Sequence, residues 1–271
     1  TGRSTWMGFP QLPRSRLEGE LVAHALAGEA WFGLRASEGR LKRDCKSPPV
    51  LHIATHGFYL SHRPVGASAL GLDRLRAHKD PMLRSGLAFA GANTFLRERR
   101  IVSDEMEDGL LTAEDVAGMD LLNTELVFLS ACETGLGQVQ IGEGVFGLRR
   151  AFILAGARTL IMTLWKISDL ATAILVAYFY EYLLGGATKA DALRLAQHRL
   201  RTASLGELRN RWLSAARNQE LAGGDETKRR RLDELAAMSD ETLPFAHPCY
   251  WAGFILQGEP GVLRWQPRLT K

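Results

Sequence analysis

Four short segments, residues 50–55, 125–131, 158–165 and 250–257, carry the alternation, β-branching or unbroken apolarity of buried strands, and helical patterns lie between most of them. Residues 17–26 place Leu17, Leu21, Val22 and Ala25 at helical spacing. Residues 143–154 carry the stripe Val145, Leu148 and Phe152 and run out at Gly156, a residue suited to a left-handed cap. Residues 171–184 follow Ser168 and Asp169, which can cap a helix, and stop at Gly185 and Gly186. Thr112 with Asp115 has the spacing of a capping box opening one short helix before Gly118. Near-continuous apolar strands alternating with helices require a parallel sheet covered on both faces, so the expected class is α/β, a three-layer sandwich with a mostly parallel central sheet. A chain of 271 residues, 46% of them hydrophobic, supplies core for one large domain or two small ones. In such sheets the chemistry sits beyond the carboxyl ends of the strands.

The rest of the chain bounds what that chemistry can be. No apolar run approaches the ~20 residues needed to cross a bilayer, and no charged stretch followed by an apolar one opens the chain, so no membrane partner is expected. Cys45, Cys132 and Cys249 are odd in number and far apart, which fits free thiols in a reducing cytoplasm. The net charge of +4 is spread among acidic residues except in the run Lys-Arg-Arg-Arg at 228–231, for which a solvated helix face is favoured over a nucleic-acid patch. The glycine-rich stretch from Gly135 to Gly144 lacks the Lys-Ser/Thr of a phosphate loop, and His247 with Cys249 is too small a set for zinc, so neither cofactor nor metal is expected. Residues 1–13 have the composition of a linker from an upstream domain, residues 205–243 that of a charged insertion, and residues 259–271 that of a tail around a domain at 14–258.

Residues 50–55 run into His56 and Gly57, and residues 125–131 run into Cys132. If these two strands are neighbours, an imidazole and a thiol meet on one rim. Thiol catalysis needs that pair: the thiolate attacks, and the imidazole manages its proton and later protonates the leaving amine. The backbone amides of Gly57 and Cys132 are then placed to hold an oxyanion, and the missing Cβ at Gly57 lets substrate approach closely. Against this stands the plain reading in which Cys132 is a small buried hydrophobe and His56 a satisfied core histidine.

The segments His52-Ile-Ala-Thr-His-Gly57, Ser85-Gly-Leu-Ala-Phe-Ala-Gly-Ala-Asn93, Leu129-Ser-Ala-Cys-Glu-Thr-Gly135, Gly142-Glu-Gly-Val-Phe-Gly-Leu-Arg-Arg-Ala-Phe152 and His247-Pro-Cys-Tyr-Trp-Ala-Gly-Phe254 together resemble the CHAT domain, a relative of caspases and separases, in the family's order. The resemblance implies a caspase-like fold and a catalytic pair at His56 and Cys132. It also implies regulation by an upstream sensor or tetratricopeptide region coupled to bacterial defence or a death-like response. Cys249 departs from the aromatic that usually follows His-Pro in the family, a change of packing that leaves the pair untouched.

The expected activity is therefore that of a cysteine endopeptidase acting on a protein or peptide, with a silent caspase-like scaffold as the alternative. Substrate contacts are expected from Asp169, Trp165 and Glu143. Two readings stand for Asp169: an acidic pocket floor selecting Arg or Lys before the cut, as the resemblance to separase-like relatives implies, or a cap on the following helix. Trp165 is the candidate apolar wall. Glu143 either orders the cysteine loop or complements its helix dipole, with capping favoured.

Overall fold

The computed structural model describes residues 8–10, 12–60, 62, 75, 78–133, 143–212, 230, 233–235, 237–265 and 267, with residues 13, 14, 132, 133 and 143–146 described by their backbone alone. The glycines from Gly135 to Gly142, and the basic run apart from Arg230, lie outside the described residues.

Six strands form one sheet in the order β3-β2-β1-β4-β5-β6. They are β1 Val50–Tyr59, β2 Ser85–Ala88, β3 Leu110–Thr112, β4 Leu126–Glu133, β5 Thr159–Thr163 and β6 Phe254–Gly258. Strand β4 pairs in parallel with β1 on one side and β5 on the other, the arrangement that the apolar runs demand. Strands β2 and β3 add an antiparallel edge beside β1, so the sheet is mixed there. The fold is the expected mixed α/β one.

The contacts divide the chain into two compact units. The first comprises residues 1–11, 31–166 and 257–259. It holds β1 to β5 and the helices α2 Glu38–Asp44, α3 Pro81–Arg84, α4 Ala92–Glu98, α5 Ala113–Ala117 and α6 Glu143–Leu154, α1 being Pro13–Leu26 in the other unit. Helix α6 packs on α3, α5 and strands β1, β2 and β5, while Phe58, Leu87, Leu126, Phe128, Leu160 and Ile161 are fully enclosed. Thr112 and Asp115 form the expected capping box at the start of α5. Gly156 ends α6 at φ +104°, and a Cβ there would come within 2.8 Å of Leu122, so only glycine fits. Phe9 packs with Phe58, Leu60, Ala88, Ala92 and Leu110, although its neighbours Gly8 and Pro10 have a linker's composition.

The second unit comprises residues 12–30, 167–256 and 260–271. Its centre is α7 Asp169–Leu184, flanked by α1 and by α8 Lys189–Thr202. Helix α7 is apolar nearly all round, as a helix covered on several sides must be. Helix α9, Leu205–Arg211, opens with a Ser204–Glu207 capping box and buries Leu205 and Leu208. The strand expected from residue 250 begins instead at Phe254. His247 is the reason: its Nδ1 accepts the amide of Cys249 and, with Pro248 next, turns Pro248–Tyr250 into a 3₁₀ helix. Among the described residues no helix is long and apolar enough to cross a membrane.

Candidate active site

The parallel register of β1 and β4 pairs Val50 with Leu126 and continues rung by rung to His56 with Cys132 and Gly57 with Glu133. Residues paired in this way lie on one face of the sheet, on strands ~4.8 Å apart. The two residues chosen from the sequence, 76 positions apart, are thus backbone neighbours one rung before the end of the β1–β4 ladder. The strand expected to stop before His56 instead runs on to Tyr59, because β2 continues to pair with it.

His56 is buried, and its ring is held twice within the first unit. Its Nε2 lies 2.7 Å from the carbonyl oxygen of Pro10, and the ring of Phe9 stacks on it with centroids 5.5 Å apart and planes 25° apart. A carbonyl only accepts, so Nε2 carries the hydrogen and Nδ1 is the basic nitrogen of the neutral ring. The segment that does this is itself pinned. The amide of Phe9 donates to Asn93 Oδ1 at 2.7 Å, and Asn93 Nδ2 donates to the Phe9 carbonyl at 2.9 Å.

Strand alternation fixes the direction of the Gly57 amide. The amide of Leu60 donates to the Arg84 carbonyl at 2.8 Å, so in this antiparallel pair residues 60, 58 and 56 face β2. Gly57 therefore turns its N–H and C=O toward β4, the strand that carries Cys132. On the other side of β4, Thr163 Oγ1 donates to the carbonyl of Ala131 at 3.2 Å, bringing the end of β5 beside the residue before Cys132.

Comparison with known proteins decides what this rim belongs to. The profile of the CHAT domain matches residues 2–259. The chain belongs to the CHAT domain family. CHAT is a caspase-like peptidase family, which agrees with the mixed α/β sheet described above. The chain is also similar to tetratricopeptide repeat protein 28 of Homo sapiens, 26% identical over 265 residues that cover 93% of this chain and 9% of the relative. The protein of the same name from Mus musculus matches with the same identity and coverage. The chain thus spans 9% of the length of the curated relatives it matches.

Within this CHAT domain the other sequence candidates fall in different places. Trp165 leaves the end of β5 in the first unit, 40% exposed. Asp169 is the first residue of α7 in the second unit. Its neighbour Ser168 occupies the cap position with no side-chain bond to the helix, which leaves Asp169 as the acid of the first turn. Glu143 is the first residue of α6, and its side chain lies outside the described residues. Cys45 is buried, and that burial pushes its thiol up to about 11, whereas Cys249 is exposed. No trio of His, Cys, Asp or Glu arranged for a metal occurs among the described residues.

Phe9, Pro10 and Asn93 are the site residues that sequence reasoning missed. Asn93 ends one of the motifs that carry the CHAT resemblance, which was the available signal for it. Phe9 and Pro10 gave none.

Proposed function

We propose that this CHAT domain is a cysteine endopeptidase with His56 and Cys132 as its catalytic pair. The observation that carries the reading is the rung joining these residues, with the His56 ring held so that Nδ1 is the basic nitrogen. His56 takes the proton of the Cys132 thiol. The thiolate forms a bond to the peptide carbonyl carbon, whose π electrons move to oxygen. The amides of Gly57 and Cys132 stabilise that oxyanion. Because the ladder runs on to the pairing of Gly57 with Glu133, its last rung has to open before the Gly57 amide is free to donate. Collapse of the adduct breaks the C–N bond, the imidazolium hands its proton to the leaving amine, and water then hydrolyses the thioester with His56 as general base.

The substrate is a protein cut after a basic residue, with Asp169 the candidate acid for its cation; Trp165 and Glu143 are the other candidate substrate contacts. The enzyme acts in the cytoplasm under an upstream regulatory or sensor region, in the setting of bacterial defence. Likeness to relatives named for tetratricopeptide repeats supports a partner region of that kind.

The test is cleavage of fluorogenic peptides with Arg, Lys, Asp or Leu before the scissile bond by the whole protein, by Cys132→Ala and by Asp169→Ala, with candidate activators. Cleavage after Arg or Lys that vanishes in Cys132→Ala and weakens selectively in Asp169→Ala is the expected result. Cleavage surviving Cys132→Ala refutes the mechanism. Failure of an electrophilic peptide to label Cys132 ahead of Cys249 favours a silent scaffold instead.

A further inference from the structure

The amino-terminal segment that touches His56 is neither helix nor strand. Pro10 has no amide hydrogen, so at this residue the segment offers a sheet no donor. The Phe9 ring packs against Phe58, Leu60, Ala88, Ala92 and Leu110, and one side chain holds the Phe9 backbone. Asn93 accepts the Phe9 amide with Oδ1 and donates to the Phe9 carbonyl with Nδ2, as a neighbouring strand would. Gly8 makes the approach possible: it sits at φ +104°, and a Cβ on it would lie 2.6 Å from Asn93 Oδ1.

Asn93 is anchored near the site from the other direction. It lies in α4, which follows β2 after a left-handed turn at Gly91, φ +99°. Strand β2 is the neighbour of β1 in which Ala88 pairs with His56. A continuous path of bonded contacts therefore runs from β2 through Asn93 to the Phe9 backbone, and from Pro10 to the imidazole. We propose that Asn93 is a positioning residue for the catalytic pair: by holding both backbone groups of Phe9 it keeps the Pro10 carbonyl on His56 Nε2 and the ring in the tautomer whose Nδ1 is basic. This inference rests on the His56–Cys132 reading above. It requires a carboxamide specifically, because a carboxylate accepts from the Phe9 amide yet has no hydrogen for the Phe9 carbonyl, and alanine does neither.

The experiment compares the native chain with Asn93→Ala, Asn93→Asp and His56→Ala. Cys132 alkylation by iodoacetamide is followed against pH by mass spectrometry, the His56 tautomer is read from ring ¹⁵N shifts, and kcat and KM are measured on whichever peptide is cleaved. Asn93→Ala is expected to move the alkylation profile toward the ordinary thiol range near ~8.5. The same variant should mix the two tautomers and lower kcat by about 10- to 100-fold with KM little changed. Asn93→Asp should fall between. A lower melting temperature with tautomer and alkylation profile both native would make Asn93 merely structural and overturn the proposal. If Asn93→Ala does not fold, the isosteric Asn93→Asp decides on the same criteria. If His56→Ala leaves the Cys132 profile native, the catalytic pair is wrong, whereas the ¹⁵N shifts still judge the clamp.

Discussion

Glu38→Gln perturbs a buried carboxylate that shares one cation with Glu107 and Asp115. Glu38 opens α2 with its side chain 3% exposed, and the Lys42 ammonium lies 2.6 Å from it, 2.8 Å from Glu107 and 3.1 Å from Asp115. One cation thus serves three carboxylates, and Asp108 stands close as a fourth. Burial outweighs the attraction of Lys42 and pushes Glu38 from an ordinary 4.5 up to about 7. Folding therefore takes up a proton between those two values. The native state carries no penalty from Glu38 below about 4.5, loses stability as pH rises toward about 7, and loses no more above it. At ~1.4 kcal/mol for each tenfold change in proton affinity the ceiling is roughly 3 kcal/mol, and sharing of charge with Asp108 makes about 2 kcal/mol the working value. Asp115 acts in the opposite sense, its carboxyl being held below the usual range by Thr112 and Lys42 against the pull of burial, and it is present in both proteins. The substituted carboxamide cannot ionise and keeps an oxygen for Lys42. Urea unfolding followed by tryptophan fluorescence at pH 4.5, 6, 7 and 8 should show the variant gaining on the native protein by about 2 kcal/mol across this range and levelling above pH 7. A difference that stays flat, or falls, refutes the reasoning.

Phe128→Ala removes a fully buried ring that stacks on His52 at 5.1 Å, and should cost about 3–5 kcal/mol in the same unfolding assay; a loss under ~1 kcal/mol means the site is not packed as described. Thr112→Ala removes one half of the capping box on α5 and should cost about 1 kcal/mol, with faster amide exchange over residues 113–117; unchanged exchange there contradicts the cap. In the native protein a thiol-exchange reagent at pH 8 should modify Cys249 promptly and leave Cys45 untouched until urea is added; early modification of Cys45 contradicts its burial.

Strands β1, β4 and β5 and helices α6 and α7 were legible because each buries an apolar run or stripe whose period survives in the sequence. The same logic drew attention to His56 and Cys132, since each follows an apolar run in the sequence, although β1 itself continues past His56 to Tyr59. Strands β2 and β3 were not legible by period: four and three residues are too few to show one, and their pairing depends on β1 beside them. Residues 250–253 read as strand because Tyr250 and Trp251 favour it, yet a local side-chain bond from His247 overrides the preference. The hold on Phe9 was invisible because its partner, Asn93, is 84 residues away. Glu38 and Lys42 have the spacing of an ordinary exposed helix pair, and only Glu107 and Asp115, brought in from afar, turn them into a buried network.

The carbonyl on His56 Nε2 belongs to residue 10, three positions before the first helix opens at Pro13. The span of the helices and strands therefore differs from the span of the residues that hold His56. A protein trimmed to begin at α1 keeps all six strands and the rung between residues 56 and 132, but its imidazole has lost both the oxygen and the ring that oriented it. Inactivity in such a trimmed protein would report where the cut was made, and would carry no information on whether Cys132 is a nucleophile.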